Sequence, residues 1–109
     1  MMQANEVRER FNQIEQTIHQ ATEACQRSDS VSGELKNSIQ QLDQRSEKAR
    51  DELKQTEDEN SIRQCVDELE ELGDRAKSAC QGAGNVDEAL KNAVLQAHQE
   101  LSDLKRQLH

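Results

Sequence analysis

Residues 7–25, VRERFNQIEQTIHQATEAC, decide the fold. The apolar side chains fall at Val7, Phe11, Ile14, Ile18, Ala21 and Cys25, in steps of four, three, four, three and four. That alternation keeps one narrow stripe on one side of an α-helix, in the heptad pattern of helices that pack along a seam. A strand would need a period of two, and a disordered segment would show no period.

Working outward, the same rule returns three times. Leu35, Ile39, Leu42, Ala49 and Leu53 form a second stripe, with Ser46 in the remaining slot. Ile62, Val66, Leu69, Ala76 and Cys80 form a third, with Leu72 beside it and Gly73 where the first stripe has Ile18. Val86, Leu90, Val94, Ala97, Leu101, Leu104 and Leu108 form the fourth. The chain has no proline and one aromatic residue, Phe11, and few β-branched residues, which argues against a sheet. Ala, Gln, Glu, Lys, Arg and Leu supply helix propensity.

The breaks lie between the stripes. Ser28 to Gly33 is polar and contains a glycine. Gly82-Ala83-Gly84-Asn85 divides the last two stripes, with Gly82 suited to end a helix in a left-handed conformation. Asn85 with Glu88 reads as a capping box, with Asp87 beside the helix start. From Leu53 to Ile62 is nine residues, about 180° around a helix, so one straight helix would turn the second and third stripes to opposite faces. A break near Glu57 to Ser61 resolves this, and Ser61 with Gln64 has the pattern of a fresh capping box. These limits predict helices at about 5–27, 31–56, 61–81 and 86–108.

The chain also aligns with itself at an offset of 55 residues. Ala24-Cys25-Gln26 falls on Ala79-Cys80-Gln81, Leu35-Lys36-Asn37 on Leu90-Lys91-Asn92, Arg8 on Arg63, Glu15 on Glu70 and Leu53 on Leu108. There are 14 identities over the 54 overlapping pairs. A bare heptad pattern would recur at 56, so the match points to a duplicated helical hairpin, with copies at 1–54 and 55–109. The expectation is an all-α protein: a single domain over 1–109, built as a four-helix bundle of two antiparallel coiled-coil hairpins.

Composition bounds the function. Lys plus Arg is 14 and Asp plus Glu is 22, a net charge of −8, which argues against nucleic acid as partner. The first copy has 8 basic and 10 acidic residues, net −2; the second has 6 and 12, net −6. The excess concentrates at Glu57, Asp58 and Glu59, then at Asp67, Glu68, Glu70, Glu71 and Asp74. Part of it fits a solvated face with i,i+4 pairs such as Glu59/Arg63, Glu71/Arg75, Glu23/Arg27 and Asp87/Lys91. The remainder could dock a basic partner, and Glu57, Asp58, Glu59, Asp67, Glu71 and the off-stripe Leu95 make up the candidate interaction surface.

Residues 1–11 are too polar for a signal peptide, and no apolar run is long enough for a membrane span. Cys25, Cys65 and Cys80 show no Cys-x-x-Cys spacing; an odd count without a signal peptide points to a reducing, cytoplasmic setting and to cysteines that serve as small core residues. His19 and His98 lie one residue beyond stripe positions, where they read as solvated flank residues, and His109 ends the chain. Gln16 and Leu95 stand where a Glu-x-x-His metal pair would need glutamate, so no metal or other cofactor is expected. No phosphate loop, nucleophile–base pair or other catalytic motif occurs. The reading is therefore a non-enzymatic interaction or structural module: an adaptor, chaperone-like protein or regulator. Its partner would be a protein or a second copy, not a membrane or small molecule. The alternative is a small metal- or ligand-binding or signalling bundle.

Overall fold

The computed structural model describes residues 3–28, 31–83 and 86–109. They form four helices: α1 (Ala4–Arg27), α2 (Gly33–Gln55), α3 (Glu59–Gly82) and α4 (Glu88–Leu108). No strand occurs among them. Each helix packs on the next, and α4 closes the ring against α1, while α1 and α3, and likewise α2 and α4, lie diagonally. The result is a four-helix bundle of 41 × 21 × 18 Å.

The stripes are the core. Val7, Phe11, Ile14, Ile18, Leu42, Leu53, Val66, Leu69, Leu101, Leu104 and Leu108 cluster with Cys65 and Ala97 in one half of the bundle. Ala21, Ala24, Cys25, Leu35, Ile39, Ala76, Ala79, Cys80, Leu90, Ala93 and Val94 cluster in the other. Ser46 is fully buried in its slot, its hydroxyl donating to the Asp43 carbonyl at 2.7 Å, so its polar atom is satisfied within its own helix. Gly73 lets α4 come close: a Cβ there would meet Leu101 Cδ1 at 3.2 Å and the His98 backbone at 3.7 Å. Leu72 is partly buried and packs against the larger cluster.

The helix limits follow the predicted ones closely, and their caps are where expectation and structure part. Ser32 caps α2, its hydroxyl accepting from the Leu35 N–H at 3.2 Å. Asp87 caps α4, its carboxylate accepting from the Ala89 N–H at 3.1 Å. Glu88 is thus the first residue of α4 and Asp87 its cap; Asn85 lies outside the described residues. Gly82 is the last residue of α3 and is not left-handed. Ala83, at φ −84° and ψ −8°, turns its N–H back to the Cys80 carbonyl at 3.4 Å, and neither it nor Gly82 is left-handed; Gly84 lies outside the described residues.

The break between α2 and α3 occupies 56–58. Thr56 turns extended at φ −119° and ψ 145°, and its hydroxyl oxygen accepts the Asp58 N–H at 3.1 Å. Asp58 is the N-cap residue of α3, two or three residues earlier than the Ser61 box predicts. Ser61 lies inside the first turn and donates its hydroxyl to the Asp58 carboxylate at 2.9 Å. The Asp58 carbonyl accepts the Ile62 N–H at 3.0 Å to open the helix, and its carboxylate is bonded by the serine rather than by a backbone N–H.

Three boundaries recur at the offset of 55: Ala4 with Glu59, Arg27 with Gly82, and Gly33 with Glu88. A distinctive contact recurs too. Arg8 Nε donates to the Leu53 carbonyl at 2.7 Å, and Arg63 Nε donates to the Leu108 carbonyl at 2.8 Å. Each guanidinium caps a C-terminal carbonyl of the neighbouring helix, a group with no intrahelical partner.

Candidate functional site

The six candidate residues do not form one patch. Glu57, Asp58 and Glu59 are exposed together at the turn between α2 and α3. Behind them a cleft of about 250 Å³ is lined by Gln3, Val7, Glu57, Glu59, Ile62 and Leu108. Glu59 lies 3.9 Å from Arg63 in the same helix. Asp67 is engaged by His109, Oδ1 to Nε2 at 2.9 Å. Glu71 is exposed and paired with Arg75 at 3.2 Å. Leu95 is half-buried on α4. Of the predicted surface, the carboxylates at 57–59 are the ones that lie together at one end of the bundle.

The rest of the acidic excess is spent on neighbouring helices. Along the line where α3 meets α4, Glu70 pairs with Lys105 at 3.8 Å and Asp74 with His98 at 3.5 Å. Where α1 meets α2, Glu15 pairs with Arg50 at 3.4 Å and His19 with Asp43 at 3.3 Å. These are the same positions at the offset of 55. Glu15/Arg50 becomes Glu70/Lys105, and His19/Asp43 becomes Asp74/His98 with the two residue types exchanged between helices. Where α2 meets α3, Arg45 reaches Glu68 at 2.8 Å and Glu52 of its own helix at 3.4 Å.

Burial sharpens these pairs. The Glu15 side chain is 8% exposed. Its Oε2, like Asp43 Oδ1, is buried and makes no hydrogen bond, so the attraction of Arg50 and His19 is through space. Glu100 Oε1 is buried and unbonded as well. His98 is only 15% exposed, more enclosed than the solvated flank position expected from the sequence, because Gly73 draws α4 inward beside it. His19 is 43% exposed. Among the described residues, no group of three or more His, Cys, Asp or Glu is arranged to hold a metal ion. No described helix is long and apolar enough to cross a membrane.

The three cysteines are free and buried. Cys25 and Cys80 sit on the diagonal helices α1 and α3, within one core cluster, and are not bonded to each other. Burial pushes both thiols up, against the pull of Lys36 on Cys25 and Lys91 on Cys80. Burial pushes Cys65 from its ordinary 9.0 up to about 11, although the Arg45 guanidinium beside it pulls the other way. A protonated thiol is a poor nucleophile. Native protein is therefore expected to label slowly at pH 8, with denaturant restoring fast labelling of all three. The folded Cys65 also holds a proton that the unfolded chain releases near pH 9. Its contribution to stability is whole below pH 9 and falls as pH rises toward about 11. Urea midpoints measured across that window should decline, and less steeply in Cys65→Ala.

Comparison with protein-family models, curated proteins and solved structures found no match to the chain.

Proposed function

We propose that the chain is a non-enzymatic interaction or structural module whose partner is a protein with a basic surface. The observation that supports this reading is the exposed triplet Glu57, Asp58 and Glu59 at one end of the bundle. Every described Leu, Ile, Val and Phe is buried or half-buried, so the outer surface offers charge and carboxamides rather than an apolar face. Recognition through such a surface is electrostatic, and it weakens as salt screens it. The three thiols suit a reducing, cytoplasmic location, where they remain unpaired. The bundle itself, a duplicated hairpin in this reading, acts as the rigid support that presents the carboxylates.

The test is capture from source lysate with wild-type chain and with Glu57→Lys/Glu59→Lys as baits, leaving the capping residue Asp58 in place. Proteins that bind wild type at low salt should be released by 0.5–1 M salt, roughly the range that shortens the screening length toward 3 Å. They should be lost from the variant bait. Equal capture by the two baits would remove the carboxylate triplet from the reading. Stoichiometric metal in the purified protein would favour the metal-binding alternative instead.

A further inference from the structure

At the end of the bundle opposite residues 57–59, a cavity of about 290 Å³ opens between α1 and α2. Its walls include Thr22 and Cys25 of α1, Val31 just before α2, and Lys36, Ile39 and Gln40 of α2. The volume stands at the lower limit of the roughly 300–1,000 Å³ that ligand sites commonly occupy, so it suits a small molecule. Burial orders the walls by depth. Cys25 and Ile39 are buried and form the inner part, Thr22 and Val31 are half-buried, and Lys36 and Gln40 are exposed at the rim.

The side chains narrow the ligand. Lys36 carries the one ionic group among the residues that line the cavity. It is near enough to Cys25 to pull on the thiol, so its charge belongs to this space. Burial outweighs that pull and keeps the thiol protonated, so the inner wall is neutral. The Thr22 hydroxyl donates to the Ile18 carbonyl at 3.2 Å, and toward the cavity it can only accept. Donors for an anion are therefore the Lys36 ammonium and the Gln40 carboxamide, both at the rim. One cation balances one negative charge, and a phosphate dianion would lack a second. We infer that the cavity binds a small monocarboxylate with an aliphatic body. Its carboxylate lies at the rim beside Lys36 and Gln40, and its apolar part rests against Cys25, Val31 and Ile39.

The self-alignment sets this end of the first hairpin apart from the second. Cys25, Val31 and Lys36 recur as Cys80, Val86 and Lys91, but Thr22 becomes Lys77 and Gln40 becomes Leu95. In the first hairpin the threonine is short and the glutamine stands out in solvent, which leaves the space open. In the second, Lys77 and Leu95 are both half-buried, so a longer stem and an apolar side chain lie partly against the helices at those positions. The second hairpin is therefore an internal control for binding at the first. The cavity shares no residue with the carboxylates at 57–59, so its test stands apart from that of the proposed protein partner.

Titration of the full chain with hexanoate, followed by proton–carbon NMR of the methyl groups, tests this. Hexanoate at millimolar concentration should shift the Val31 and Ile39 methyls saturably and leave those of Val86 and Val94 in place. The controls are 1-hexanol and hexylamine, which keep the aliphatic chain without the negative charge. 1-Hexanol should bind more weakly than hexanoate, and hexylamine more weakly still. Lys36→Gln should weaken hexanoate binding by about two- to fivefold, as loss of an exposed ion pair does, and leave 1-hexanol unchanged. Thr22→Leu puts a larger side chain into the space and should abolish the hexanoate shifts while the circular dichroism remains helical. Absence of saturation in wild type would overturn the assignment, whether or not the variants fold. So would equal shifts in both hairpins, binding of 1-hexanol or hexylamine as tight as that of hexanoate, or undiminished hexanoate binding by folded Thr22→Leu.

Discussion

Leu101→Ala should lower unfolding stability by about 2–5 kcal/mol, in the upper part of that range if the site cannot collapse. Leu101 is fully buried, and its Cδ1 sits over the bare backbone of Gly73. It therefore fills the space that Gly73 leaves where the first half has Ile18. Removing it opens a cavity against a helix that has no side chain with which to fill it. Gly73→Ala gives the matching sign test. Alanine gains about 1 kcal/mol of helix propensity over glycine, but its Cβ would stand 3.2 Å from Leu101 Cδ1. In wild type the two effects should nearly cancel, within about 1 kcal/mol. In the Leu101→Ala background the contact is gone, and Gly73→Ala should stabilise. Urea denaturation of the four proteins measures the coupling directly. An additive cycle would show that Leu101 does not occupy the Gly73 space.

Phe11→Ala should cost about 3–5 kcal/mol. Phe11 is 1% exposed and belongs to the cluster that also holds Ile14, Val66 and Leu104. It is the one Phe, Tyr or Trp in the chain, and its cluster also holds the smaller Ala49 and Val66. Thermal unfolding of Phe11→Leu should fall between wild type and Phe11→Ala. Near-wild-type melting of Phe11→Ala would place the ring outside the core.

The helices were legible because their apolar positions are periodic and nearly uninterrupted. The break at 56–58 was legible from geometry alone: nine residues between Leu53 and Ile62 turn the stripe to the far side, and the chain must fold back to use both. Gly82 and Ser61 misled for a common reason. Each has the residue type of a cap, but the backbone leaves the helix at Ala83 and enters it at Asp58, whose carbonyl accepts the Ile62 N–H. The carboxylate triplet at 57–59 could be read from charge density and a missing stripe. That Asp67 is held by His109 could not, because a stripe says which face turns inward and nothing about which neighbour stands at each flank. The signal for the other pairs was present in the self-alignment. His19/Asp43 and Asp74/His98 stand at the same positions at the offset of 55, with the two residue types exchanged.

The antiparallel packing of every neighbouring pair has a last consequence, for the field outside the molecule. Each end of the bundle carries the beginnings of two helices and the ends of two others, so the peptide dipoles of adjacent helices oppose one another and largely cancel. What an approaching molecule feels is set by side chains alone, as a short rod 41 Å long bearing a net charge of −8. At physiological ionic strength that field fades over about 8 Å, far less than the length of the rod. A partner is therefore drawn by the few charges nearest to it rather than by the molecule as a whole, and the end of the rod it meets decides what it senses.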